Sequence, residues 1–134
     1  MVFAVSTAQA AELEKVTLGC IGTVTDVDDG KSKPIARVIT VNFKTRTVQG
    51  LNTRSLPITG EDSTIIFFYE EVDRGLGPTI HSDWISETEG SISRLTGVLT
   101  AEEKRWKRTG QKAPSNLLSS KEYFLKCRPA QQMF

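Results

Sequence analysis

Apolar and polar residues alternate along much of this chain. Val16, Leu18, Cys20 and Val24 fall on one phase of residues 16–26. Further on, Ile35, Ile39, Val41 and Phe43 share a phase, and Ile65, Phe67 and Tyr69 share another. A period of two sends successive side chains to opposite faces of an extended strand, so each set is expected on one face of a β-sheet. Shorter strand-like runs cover residues 47–51, 79–86, 91–95, 98–106 and 122–128, which brings the expectation to about eight strands.

Turn signals separate these runs: Asp29-Gly30, Thr59-Gly60, residues 75–78, Thr96-Gly97 and Thr109-Gly110. Glycine supplies the positive φ that tight hairpins demand, so the punctuation fits an antiparallel meander. Parallel crossovers need helical connections of a dozen residues or more. Residues 101–108 are the one helix contender, because Thr100 and Glu103 fit a capping box. Ala101 and Trp106 are their only apolar members, however, and make no helical stripe. Residues 27–34 and 109–120, polar and rich in Gly, Lys and Ser, read as long surface loops. The expected fold is all-β: one meander forming a small closed barrel, with a sandwich as the alternative and a short helix near 101–108 as the one exception allowed.

Composition adds a size and a compartment. A chain of 134 residues that is 38% hydrophobic makes one domain. Val, Ile and Thr supply 34 of those residues and favour strands. The first ten residues are uncharged and end in Ala8-Gln9-Ala10, a small-x-small pattern. They read as the remnant of an export signal, or as a disordered N-terminus, leaving 11–134 as a single β domain. No apolar run exceeds five residues, the length of the run at 65–69, which is far too short for a transmembrane segment. Seventeen basic against sixteen acidic residues leave a net charge of +1, so no nucleic acid is expected as a partner.

The two cysteines, Cys20 and Cys127, each fall on the apolar phase of an alternating segment. An even count near the two ends of a chain expected to be exported predicts a disulfide between them, tying the first strand to the last and closing the sheet. The alternative is a pair of inert buried thiols. Two cysteines and the single His81 make no tetrahedral metal site, and no cofactor is expected.

The ending Tyr123-Phe-Leu-Lys-Cys127-Arg-Pro129-Ala-Gln-Gln-Met133-Phe134 resembles that of a family of small exported proteins of unknown function from soil alphaproteobacteria. Cys20-Ile-Gly-Thr, Thr47-Val-Gln-Gly50 and residues 90–97 look like the same family. The chain departs from that pattern at Ser93, where an aspartate is common, and at Gln132, where an arginine is common. The resemblance implies export and a β-rich body, and no activity. A looser likeness, carried by Cys20 and Lys126-Cys127, is to periplasmic lysozyme-inhibitor barrels.

Catalytic and metal patterns fail on spacing. Asp26-Val-Asp28-Asp29-Gly30 has its glycine fifth and Arg37 at the twelfth position, so it reads as a hairpin turn and not a calcium loop. Glu70 and Glu71, with Asp73 nearby, cannot act as an acid and base pair, since neighbours on a strand face opposite ways. His81, Ser82 and Asp83 are adjacent and cannot converge as a triad. The chain is therefore expected not to be an enzyme.

Charge is the most informative asymmetry. Residues 100–134 hold eight basic and three acidic groups, and Lys104, Arg105, Lys107 and Arg108 flank Trp106, with Lys112 following. This stripe is the expected partner-binding site of a periplasmic or secreted protein, for an anionic macromolecule or an acidic protein face of the cell envelope. The alternatives are a charged strand that resists edge pairing, and a barrel that binds a small ligand where Phe43, Phe67, Tyr69 and Trp84 leave its interior unfilled.

Overall fold

The computed structural model describes residues 14–73, 84–107 and 117–129. Eight antiparallel strands follow one another around a closed barrel: β1 (Lys15–Asp26), β2 (Lys31–Asn42), β3 (Thr47–Gln49), β4 (Leu56–Glu61), β5 (Ile65–Asp73), β6 (Trp84–Ser93), β7 (Val98–Lys107) and β8 (Leu117–Pro129). Each strand pairs with the next, and β8 returns to β1. That last seam sets Cys20 opposite Cys127, and the two form the disulfide with Cα atoms 4.0 Å apart.

The alternating apolar residues of each strand point into the lumen and meet there. Phe68, Ile39, Leu51, Leu56, Leu99, Leu125, Val41, Val48 and Cys20 are all under 2% exposed except Val41, at 2%. Phe68 is the largest of them and crosses the lumen beneath Gly90. A Cβ on Gly90 would lie 2.5 Å from Phe68 Cζ, so the missing side chain on β6 makes the room that the ring fills. Among the described residues the lumen is packed around Phe68, and space remains towards its two ends.

Several local expectations are corrected. Of the expected helix 101–108, residues 101–107 instead belong to strand β7 (Val98–Lys107), paired with both β6 and β8, and residue 108 lies outside the described residues. Two ladders outweigh one capping box, and they bury Leu99 and Ala101. Thr59-Gly60 lies inside β4 at a register shift, not in a turn. Runs 79–86 and 91–95 contribute to one strand, β6, insofar as they fall within the described residues. Of the two supposed loops, residues 31–34 belong to β2 and 117–120 to β8. Phe67 faces outward at 46% exposure, while Ile66 and Phe68 point in. Five consecutive apolar residues carry no phase, and the pairing with β6 decides it.

Candidate functional site

The basic run lies on β7, and strand alternation divides it between two faces. Lys104 and Trp106 share the outer phase. Lys104 Nζ lies 3.1 Å from Glu102 Oε2 and 5.8 Å from the Trp106 ring centroid. Trp106 is only 8% exposed, and its Nε1 has no hydrogen-bond partner among the described residues. Arg105 and Lys107 take the inner phase, which carries them to the end of the barrel where β6 begins. Arg108 and Lys112 lie outside the described residues.

The register of the β6–β7 hairpin sets Ser86 opposite Arg105 and Trp84 opposite Lys107. Trp84 is thus the diagonal neighbour of Arg105, within reach of a long side chain. The guanidinium lies over the indole, 4.7 Å from its centroid. No carboxylate of the described residues lies within ion-pair distance of Arg105. The aromatic partner of this cation is therefore Trp84, which the local sequence around Trp106 does not reveal.

Residues 50–55 fold across the same mouth. Gly50, at φ 105°, turns the chain sharply out of β3, and a Cβ there would collide with the Val38 carbonyl oxygen. Leu51 then plugs the lumen at 1% exposure, its carbonyl accepting from Arg37 Nε at 3.4 Å. Asn52 Nδ2 donates to Glu103 Oε2 at 2.9 Å, and Tyr123 Oη donates to Glu103 Oε1 at 3.3 Å. Arg54 grips Glu70 through Nε at 2.7 Å and Nη2 at 3.4 Å. The hydrogen bond to Glu70, then its charge, raises the Arg54 pKa. Burial pushes the Tyr123 phenol up to about 12, and the adjacent Glu103 carboxylate adds to it. A small cavity of about 90 Å³ remains beneath the plug, bordered by Asn52, Arg54, Ser86, Thr88, Glu103 and Arg105.

The opposite mouth is different in kind. Val16, Leu18, Val41, Phe43, Ile66 and Ile92 wall a cavity of about 360 Å³, with the β6–β7 turn and the end of β8 at its rim. Arg94 lies 5.2 Å over the Phe43 ring. Its Nη1 donates to the Asp62 carbonyl at 2.9 Å and stands 3.6 Å from Glu61, which Arg46 also holds at 2.6 Å. Ser93 Oγ accepts the amides of Leu95 and Thr96, the turn-forming bonds an aspartate at this position would also accept.

The remaining candidates resolve as follows. Asp26 Oδ1 accepts the Asp28 amide, and Gly30, at φ 69°, closes the β1–β2 hairpin. Among the described residues no three His, Cys, Asp or Glu side chains gather to hold a metal. Glu70 is engaged by Arg54, while Glu71 lies on the other face of β5. His81, Ser82 and Asp83, and the side chain of Asp73, lie outside the described residues. The chain matches no protein-family model, no curated protein and no solved structure.

Proposed function

We propose that this chain is a non-catalytic binding protein working outside the cytoplasm, in the envelope or secreted, and that the mouth closed by residues 50–55 grips an anionic group of a macromolecular partner. The observation that carries this reading is the Arg105 guanidinium, laid on Trp84 with no carboxylate of the described residues against it and Lys107 beside it. A cation shelved on an aromatic face keeps its outward charge for a ligand. The carboxylates nearby are already engaged, Glu70 by Arg54 and Glu103 by Asn52 and Tyr123. On the outer face of the same strands Glu89, Glu102 and Glu122 stand directly opposite one another, which would repel an anionic partner and direct it to the mouth.

The small cavity admits a side group and not a whole ligand, which favours a macromolecule that presents its charge from outside. The disulfide fits an oxidising compartment. No helix among the described residues is long and apolar enough to cross a membrane. The resemblance of the chain's ending to exported β-rich proteins agrees.

Retention on acidic polysaccharide and on anionic vesicles tests the reading. The native protein should be retained at low salt and released as salt rises, since exposed charges act within a Debye length of about 8 Å at physiological ionic strength. Arg105→Glu with Lys107→Glu should abolish retention, while Lys104→Glu, on the outer face, should leave most of it. Equal behaviour of the two variants, or no retention of the native protein even at low salt, would remove the proposal.

A further inference from the structure

We propose that the mouth opposite residues 50–55 is a binding site for a short single-chain anionic amphiphile, its apolar tail in the lumen and its carboxylate at Arg94 and Arg128. This stands apart from the reading of the Trp84 mouth and shares no residue with it.

The cavity, about 360 Å³, lies at the lower end of the range of roughly 300–1,000 Å³ typical of small-molecule sites. It therefore suits one short chain and not a folded segment of a partner. Its deep walls are hydrocarbon: Val41, Ile66 and Ile92 are each at most 4% exposed, and Leu18 and Phe43 pack on the core above them. None of these side chains carries a hydrogen-bonding group, so a polar ligand portion could not be satisfied at depth.

Polar side chains occur only at the rim, and the charged ones among them are Arg94 and Arg128. Arg94 commits Nη1 to Asp62 and Glu61, leaving Nε and Nη2 without a partner among the described residues. Arg128, on the outward phase of β8 next to the buried Cys127, borders the cavity at its rim and has no ion-pair partner among the described residues. Of the acids nearest the rim arginine Arg94, Glu61 is engaged by Arg46 and Arg94, and Asp62 by Thr64 and Ile65, whose hydrogen bonds hold its carboxyl below the usual range. The rim thus offers spare positive charge above an apolar well, which is the complement of a carboxylate on an alkyl chain. Leu95 stands 76% exposed at the tip of the turn beside this well, extending the apolar lip outward.

Calorimetric titration with decanoate, kept below its micelle concentration, is the direct test. Saturable one-to-one binding is expected. Octanoate, shorter by two methylenes, should bind about 15-fold more weakly, the loss that burying each methylene predicts. Decyltrimethylammonium should bind at least tenfold more weakly than decanoate, and Arg128→Glu should narrow or reverse that preference. Leu18→Trp should fill the well and abolish binding. If that variant fails to fold, amide shifts in the native protein serve instead, and should fall on Ile92, Leu95, Gly97 and Cys127.

Four results would overturn the proposal. They are absence of saturable binding, indifference to the sign of the head group, shifts centred on Thr88 and Arg105, and binding that appears only after residues 130–134 are removed. The last would make the chain's own end the occupant. Loss of polysaccharide retention by the Arg105 and Lys107 variant bears on the other mouth alone.

Discussion

Tyr123 shows how much one side chain inside the lumen depends on its proton. Its phenol donates to Glu103, and removal of that proton would set a buried phenolate beside a carboxylate, so its pKa rises to about 12 from an ordinary value near 10. The native state therefore keeps the proton to higher pH than the unfolded chain does. The stability this contributes is fully present below about pH 10 and is lost as pH climbs through about 12. Urea midpoints should accordingly fall across that window, and phenolate absorbance should show Tyr123 titrating late. Tyr123→Phe should remove the Tyr123 part of the late titration and its share of the fall.

At the scale of elements, the segment 50–55 behaves as part of the core although it forms no strand. Leu51, at 1% exposure, is buried like the core residues of the strands, and the polar groups following it reach β5 and β7. Leu51→Ala should thus cost about 2–5 kcal/mol in equilibrium denaturation, the range for a leucine lost from a packed interior. A loss below about 0.5 kcal/mol would mean that the segment only lies over the mouth.

The elements themselves were unequally legible. Strand β1 and the parts of β2 and β8 from residues 35 and 122 onward read directly from the sequence, because each has one buried face and so alternates cleanly. Strand β4 was missed because Pro57 and Gly60 look like breakers. Proline is tolerated where its missing N–H is not required by the ladder, and glycine where the register shifts. Strand β6 looked like two pieces, since Glu87 and Glu89 face outward and Gly90 contributes no side chain. The candidate site was legible only in part. Arg105 and Lys107 were visible as charges, but alternation splits them from Lys104 and Trp106. The contacts of Asn52 with Glu103 and of Arg54 with Glu70 join residues 51 and 16 positions apart, which no local pattern announces.

For the whole molecule, one covalent bond closes what the meander leaves open. All hairpin pairings join neighbours in sequence, whereas β1 and β8 meet across a separation of 107 residues, and Cys20–Cys127 spans that seam. Chain-entropy reasoning assigns such a loop about 4.7 kcal/mol of stabilisation through the unfolded state. Reduction, or Cys20→Ser with Cys127→Ser, should lower the unfolding free energy by several kcal/mol without changing the strand content of the folded form. Thiol titration of the unfolded, unreduced chain should find no free cysteine from this pair.

The brevity of β3 bears on how the barrel breathes. Its three residues pair with β2 at three positions and with β4 at two, with one further bond from Ile58 N to the Arg46 carbonyl, while β1 meets its neighbours along ladders of nine and twelve positions. Sub-global opening takes the path of fewest broken bonds. The amides around residues 40–49 should therefore exchange with solvent through partial openings, while those on either side of the disulfide wait for global unfolding. On this expectation the molecule has a slow side and a fast side, and the fast one carries the plug: release of β3 should free the strand end that anchors Gly50 and Leu51 and open the lumen from the mouth where Arg105 and Trp84 stand.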